Sequence, residues 1–101
     1  MLAKVATYRL SPRARQDMEA IWLYSFNRWS LRQADDYYAE LVSSFAQLAS
    51  GMKRGRNIGH GAPGHLALAS GSHFIIYRQT PSMITIIRIL HQRMNITAHL
   101  R

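Results

Sequence analysis

The apolar positions near the end of the chain form two runs that a polar turn separates. The first run is His73–Tyr77, the second is Met83–Leu90, and Pro81 lies between them. Both runs are rich in Ile, Phe and Tyr, residues that favour pleated strands. The second run is apolar on both of its faces, which is typical of a strand covered on each side. We therefore predict a central β-hairpin that the rest of the chain covers.

The first half of the chain predicts one strand and two helices. Ala3–Leu10 alternates and is expected to form a strand near a sheet edge. Ser11 and Pro12 supply an N-cap and a first helical residue, and Ser30 lies three residues before Gln33 as a second cap. Behind each cap, apolar residues recur at helical spacing. We expect both stripes to be core: Ala14, Met18, Ile21, Trp22, Ser25 and Trp29, then Ala34, Tyr37/Tyr38, Leu41, Phe45, Leu48 and Met52.

The segments that join these elements are also readable. Gly51 is expected to end the second helix in the left-handed conformation, and the short link between the helices predicts an antiparallel hairpin. Gly51–Gly64 has no periodicity and predicts a loop, either a simple crossing or a basic binding loop. Leu66–Ala69 predicts a short strand before a tight turn. After Met94, Asn95 is a candidate cap for one helical turn.

These elements predict an α+β fold in the order β-α-α-β-β-β. A helical hairpin packs on one face of a small, mostly antiparallel sheet, and residues 1–101 form a single domain. No further helix is left to cover the other face of the sheet. We therefore expect that face to be apolar and open to a partner.

Charge is distributed unevenly along the chain. The net charge is +8, and all five acids (Asp17, Glu19, Asp35, Asp36, Glu40) precede residue 41. Seven Lys/Arg residues and all five histidines follow that point without a single acid. Such asymmetry predicts a positive surface for nucleic acid, an acidic protein or anionic lipid. A simple contribution to solubility is the alternative.

Composition excludes several classes of site and protein. The chain has no cysteine, which excludes disulfides and thiolate chemistry and is compatible with a reducing compartment. No apolar run has the length of a signal peptide core or of a membrane span, so we expect a cytoplasmic protein without a membrane partner. No two histidines have the H-x-x-x-H spacing of a metal site. We expect neither a metal nor a cofactor.

Three segments of the chain are distinctive: YRLSPRARQDMEAIW from residue 8, GSHFIIYR from residue 71 and IIRILHQRM from residue 86, followed by a terminal His-Leu. In this order they resemble the ParE toxins of type II toxin–antitoxin modules, within the wider RelE/ParE toxin superfamily. The resemblance covers nearly the whole chain and departs from the family pattern at Asn95 and at Gly64-His65. It implies the RelE/ParE-like fold and a toxin that poisons DNA gyrase until a ParD-like antitoxin binds it in a hetero-oligomer. Members of the ParE branch are not known as enzymes, and no sequence-specific nucleic-acid contact is expected.

The resemblance and the charge distribution together give two candidate surfaces. A basic strand end and tail are expected to contact the target, through Arg88, His91, Arg93, Met94, His99 and Leu100. The sheet face and the basic loop are expected to bind the antitoxin, through Arg54, Arg56, His73, Ile75, Tyr77 and Ile87. Two structural roles stay open as alternatives. His91 could donate a hydrogen bond to a backbone carbonyl, and Arg88 could form an ion pair with an acid of the second helix.

A ribosome-dependent mRNA endonuclease of the RelE kind is the alternative function. Such an enzyme needs a proton-transfer group and cations, and His91 with Arg78 and Arg93 would be the candidates. Three observations count against it. No acid follows Glu40, no tyrosine follows Tyr77, and strand alternation places Arg88 and His91 on opposite sides. An inactive toxin that still binds its antitoxin is a third possibility.

Overall fold

The computed structural model describes residues 7–59 and 62–100. In chain order its elements are β1 (Thr7–Leu10), α1 (Pro12–Arg28), α2 (Leu31–Ser50), β2 (Arg56–Asn57), β3 (Leu66–Ser70), β4 (His73–Gln79), β5 (Met83–His91) and α3 (Ile96–His99). Residues 3–6, the first part of the predicted first strand, lie outside the described residues. Within the described ranges, no helix combines the length and the apolar character that crossing a membrane requires.

The sheet has five strands in the order β1-β5-β4-β3-β2. β1 runs parallel to β5 at one edge, and all other neighbours are antiparallel. The predicted α+β arrangement, with two helices on a mostly antiparallel sheet and a central β4–β5 hairpin, is confirmed. The predicted loop Gly51–Gly64 contains the additional two-residue strand β2. That strand has no periodic signal because two residues are too few to show alternation.

Both predicted helix starts are confirmed by their caps. The Ser11 hydroxyl accepts the Ala14 N–H at 3.0 Å and donates to the Ile87 carbonyl of β5 at 2.7 Å, so one side chain starts α1 and ties it to the sheet. The Ser30 hydroxyl accepts the Gln33 N–H at 3.1 Å. These bonds satisfy amide groups that have no partner inside a helix.

The core lies between the helices and one side of the sheet, which we call the helix face. Its buried residues come from α1 and α2 on one side and from alternate positions of β4 and β5 on the other: Ala14, Met18, Leu41, Phe45, Leu48, Ala49, Ile75, Tyr77, Ile84, Ile86 and Ile89. A β-bulge at Ile87 shifts the alternation, because Tyr77 pairs with Ile86 while Ile76 pairs with Arg88. Both Ile86 and Ile89 therefore reach the core.

Three residues of the predicted apolar stripes are not core. Trp29 is 56% exposed, Tyr38 is 40% exposed and Met52 is 76% exposed. Trp29 and Met52 lie beyond the last helical residues Arg28 and Ser50, where the helical periodicity no longer applies. Tyr38 neighbours the stripe position Tyr37 and therefore points about 100° away from it. The prediction that these side chains are buried is wrong.

The opposite side of the sheet, which we call the far face, is partly covered. It carries the alternate positions, and two of them, Ile76 and Leu90, are 0% and 1% exposed. The Arg88 guanidinium also donates to the His99 carbonyl at 3.3 Å, which holds α3 near the Arg88 side chain. The far face is apolar at its centre, as predicted, but the prediction that it is uncovered is wrong there.

Arg88 pairs with an acid of α1 rather than of α2. Two of its nitrogens donate to the Asp17 carboxylate at 2.7 and 3.0 Å, and the Ile89 N–H donates to the same carboxylate at 2.9 Å. Both side chains are nearly buried. The hydrogen bond to Asp17 raises the pKa of Arg88 above its ordinary value. Arg88 therefore has the structural ion pair that the sequence left open, with a different partner.

Candidate functional site

A cleft of about 650 Å³ opens between the helices and the end of the central strands. We call it the hairpin cleft. Its lining comes from α1, from α2 and from the ends of β4 and β5: Ala20, Ile21, Tyr24, Ser25, Trp29, Gln33, Asp36, Tyr37, Glu40, Ser72, His73, His91 and Met94. The volume falls within the range of small-ligand and peptide pockets. It is the main candidate site in the part of the chain that the structure describes.

Tyr37 organises the floor of the hairpin cleft. Its hydroxyl lies 2.7 Å from Nδ1 of His73, accepts the Ser72 N–H at 3.0 Å and lies 3.4 Å from the Ser70 carbonyl. These contacts fix the β3–β4 turn against α2. Gly71 in that turn has φ +57°, and a Cβ there would lie 2.5 Å from the Tyr37 ring. The turn therefore requires glycine both for its backbone angle and for its contact with Tyr37.

His73 and His91 face each other on neighbouring strands. They are directly paired in the β4–β5 register, and their ring centroids lie 5.3 Å apart at 80°. Nδ1 of His91 lies 3.2 Å from the Arg93 N–H and accepts that hydrogen bond. A neutral His91 ring then carries its proton on Nε2. The cleft thus contains two imidazoles held by neighbouring polar groups.

Burial favours the neutral forms of His73 and Tyr37. Desolvation lowers the pKa of His73 below 6.5, and the neighbouring His91 lowers it further, whereas Asp17 acts in the opposite direction. Burial also raises the pKa of Tyr37, with Glu40 adding to the increase. A neutral imidazole and a neutral phenol suit hydrogen bonding and apolar contact better than the recognition of a charged group.

The lowered pKa of His73 predicts a loss of stability in mild acid. Unfolded His73 binds a proton near pH 6.5, whereas the folded chain holds it neutral to a lower pH through burial and His91. The unfolded state therefore binds more protons below pH 6.5, and the free energy of unfolding falls as the pH drops. We expect His73→Gln to flatten this fall between pH 6.5 and 5 in urea titrations. His99→Gln, outside the cleft, should retain it, and equal slopes in both variants would contradict the assignment.

The outer wall of the hairpin cleft is aromatic. Tyr24 and Trp29 meet edge to face at 6.1 Å, and the Arg28 guanidinium lies 5.9 Å from the Trp29 ring. Tyr24, Trp29 and the neighbouring Leu31 are all more than half exposed. Exposed aromatic groups at the rim of a pocket are typical of protein interfaces. Sequence patterning missed this wall because it assigned Trp29 to the core.

The residues predicted to contact the target do not form one surface. His91 and Met94 line the hairpin cleft. Arg88 has the alternation of the far face, and its guanidinium contacts Asp17 of α1 and the His99 carbonyl at the edge of β5. Strand alternation therefore divides the predicted target-binding residues into a group in the cleft and a group near α3. The sequence predicted this separation for Arg88 and His91. Of the other predicted target-binding residues, Arg93 is exposed and Leu100 is half-buried.

The residues predicted to bind the antitoxin are also divided. Ile75 and Tyr77 are 0% exposed beneath the helices, so neither has a surface that a partner could contact, and we remove both from the set. The Tyr77 hydroxyl accepts the Gly55 N–H at 2.7 Å, which is a structural role. His73 lines the cleft. Three residues remain accessible outside it: Arg54, Arg56 and, in part, Ile87.

The three residues of the nuclease alternative do not converge on one point. His91 lies on the helix face, whereas Arg78 lies on the far face, because it pairs with Thr85 one position after the buried Tyr77. Arg93 contacts His91 through its backbone N–H only, as far as the described residues show. Among these residues, no three His, Asp or Glu side chains are grouped in a way that could hold a metal ion.

Comparison with known proteins agrees with this architecture. The sequence model of the family described as "ParE toxin of type II toxin-antitoxin system, parDE" matches residues 8–96. The chain belongs to the ParE toxin family. Within that family it is 43% identical over 93 residues to Toxin ParE1 of Caulobacter vibrioides, covering 92% of this chain and 96% of that one. It is 37% identical over 94 residues to Toxin ParE1 of Mycobacterium tuberculosis, with the same coverage.

Solved structures share the fold of this ParE family member. A chain from "Chromosomal ParDE TA system from P. aeruginosa" superimposes with a TM-score of 0.74 at 19% identity, covering 86% of this chain and 96% of that one. A chain of the toxin–antitoxin complex RelBE2 from Mycobacterium tuberculosis gives 0.62 at 17% identity, with 91% and 95% covered. At these identities the likeness concerns the fold alone. Both neighbours come from toxin–antitoxin systems.

Proposed function

We propose that this ParE family member is a cytoplasmic toxin that poisons DNA gyrase and that a ParD-like antitoxin neutralises in a hetero-oligomer. Membership of the family supports the toxin assignment. A second observation supports the proposal over the nuclease alternative: His91 and Arg78 lie on opposite sides of the sheet. A protein that acts by binding its target requires no convergent acid, base and cation, whereas a nuclease does.

The antitoxin is proposed to insert an apolar segment into the hairpin cleft. The cleft joins a neutral floor of Tyr37 and His73 to a wall of exposed aromatic groups. An amphipathic helix that places its apolar face in such a groove buries both partners' apolar surface. Acidic residues elsewhere on the antitoxin would contact Arg54 and Arg56 on the exposed β2 edge.

The mRNA endonuclease alternative is tested directly with translating ribosomes. We expect the purified chain to leave a ribosome-bound message intact, because the described lining of the cleft contains no lysine or arginine beside His91. An active endonuclease of the same fold serves as the positive control. The alternative would be favoured if the message were cut and if His91→Ala lowered cutting by about 10²-fold or more, the effect of losing a general acid or base. Circular dichroism and urea unfolding of His91→Ala show whether that variant is folded.

A further inference from the structure

The two layers of this fold differ in charge, because α1 and α2 carry four arginines together with the acids of the chain. All five acids lie on α1 and α2, which cover the helix face. The far face presents cations from several strands. Arg9 points there because its neighbours Tyr8 and Leu10 pack on the core, and Arg78 points there because the preceding Tyr77 is in the core. Arg56 is directly opposite Ala67 on the same face. A face with several cations and no acid of its own attracts a polyanion.

Two of these arginines form an ordered row across the sheet. Arg9 is paired with Thr85, and Thr85 is paired with Arg78, so the three residues lie side by side on β1, β5 and β4. We call them the far-face row. Two strand spacings place the arginine Cα atoms about 10 Å apart. Nε of Arg9 donates to the Thr85 hydroxyl at 3.3 Å, which holds the side chain against the sheet and leaves its terminal nitrogens for a ligand.

Both arginines of the far-face row are exposed and available. Within residues 7–59 and 62–100 the ion pairs are Arg32 with Asp36 and Arg88 with Asp17, and neither includes the row. The acid nearest this side of the sheet, Asp17, is already neutralised by Arg88. No described carboxylate therefore competes with an incoming anion for Arg9 or Arg78.

We propose that the far-face row contacts the phosphodiester backbone of duplex DNA. Arginine guanidinium groups match phosphate oxygens, and a double helix presents about one negative charge per 1.7 Å of its axis. Binding of a single strand requires exposed aromatic rings for stacking. The exposed large apolar residues of the described chain lie on α1 and α2 or in segments outside the strands, so the far face has no such platform. Contact is with the backbone and independent of base sequence.

An acidic protein segment fits the far-face row less well. Disordered acidic segments bind by burying apolar side chains as well as by charge. On this face Ile76 and Leu90 are buried and Phe74 and Met83 are half-buried, so little apolar surface is open to a partner. A ligand whose contacts are almost wholly ionic suits this surface better. The interaction goes beyond the proposed action on gyrase and is measured without gyrase, so the failure of one leaves the other testable.

The experiment measures fluorescence anisotropy of a labelled 20-base-pair duplex with the purified chain over a range of NaCl concentrations. Each phosphate contact contributes about 0.9 to the slope of log K against log salt. We expect Arg9→Gln/Arg78→Gln to lower the magnitude of that slope by about 1.8 and to weaken binding roughly tenfold or more at low salt. Arg9→Lys/Arg78→Lys should retain most of the slope, because it preserves both charges. This variant also shows whether the two positions tolerate substitution.

A matched control removes the same charge from the other layer. Arg13→Gln/Arg15→Gln lies on the exposed side of α1 and changes the net charge equally. Equal losses in the two Gln double variants would overturn the proposal, since binding would then follow net charge alone. It would also be overturned by a single strand that binds as tightly as the duplex. The proposal would also be contradicted if the duplex did not bind at low salt while poly-glutamate did bind, with its binding dependent on Arg9 and Arg78.

Discussion

Asp17→Ala is expected to lower the free energy of unfolding by about 3–5 kcal/mol, a range typical of a nearly buried ion pair that loses one partner. The side chains of Asp17 and Arg88 are only 14% and 11% exposed. Removing the carboxylate leaves the guanidinium almost without solvent and takes the acceptor from the Ile89 N–H. Urea unfolding followed by circular dichroism measures the change.

A double-mutant cycle separates the ion pair from the other contacts of Asp17. Arg88→Met removes the nearly buried cation and keeps the Asp17 carboxylate as the acceptor of the Ile89 N–H. The cost of Asp17→Ala should be smaller in that background by about 1–3 kcal/mol, the usual coupling between residues in contact. The exposed pair of Arg32 and Asp36, 3.9 Å apart, is the control, and Asp36→Ala should change stability by less than about 1 kcal/mol. Additive costs at Asp17 and Arg88 would contradict the pairing.

Trp29→Ala is expected to weaken antitoxin binding by about 2–4 kcal/mol, which is roughly 30- to 1,000-fold in Kd. Trp29 is a large exposed ring at the rim of the hairpin cleft, in contact with Tyr24 and beside Arg28. Tryptophan at such positions often dominates the energy of an interface. Isothermal titration of the purified toxin variant with its antitoxin measures the change.

Met52→Ala provides the matched control for Trp29. Met52 is the most exposed of the large apolar residues of the described chain, at 76%, and it is not part of the cleft lining. Its removal should leave Kd within about twofold, because apolar contacts outside a binding hot spot contribute little. Equal effects of the two substitutions, or no effect of Trp29→Ala, would mean that the antitoxin binds elsewhere.

Local sequence signals predicted the elements of this fold well. Ser11 and Ser30 cap their helices because a short hydroxyl side chain before an apolar stripe has one favourable arrangement. The β4–β5 hairpin follows from two β-rich runs around a turn, and Asn95 caps α3 as expected. Each of these features depends on residues close together in the sequence. That proximity is why single-sequence reasoning identifies them.

Contacts between the helices and the sheet could not be predicted from the sequence. Asp17 and Arg88 lie 71 residues apart, and only the placement of α1 beside the edge of β5 brings them together. From the sequence alone, the acids of α2 were the expected partners of Arg88. The bulge at Ile87, which decides where later residues of β5 point, likewise has no marker such as glycine.

The candidate site was only partly predictable for the same reason. His73 and His91 were singled out by residue type, but their contact requires the register of β4 with β5. Tyr37 and Trp29 both belong to an apolar pattern, and the pattern does not show that one forms the floor of a cleft and the other its rim. Ile75 and Tyr77 were wrongly placed on a binding surface, because alternation alone does not tell which face the helices cover.

The most direct test of the proposed function is a DNA cleavage assay with purified gyrase, supercoiled plasmid and increasing amounts of this toxin. We expect loss of supercoiling, linear DNA that is released only after protein denaturation, and recovery of activity when the antitoxin is added at equal molar ratio. Such a result would establish a gyrase poison neutralised by its partner. Full supercoiling activity with intact plasmid, at toxin concentrations that arrest growth, would contradict the proposed function and require another target.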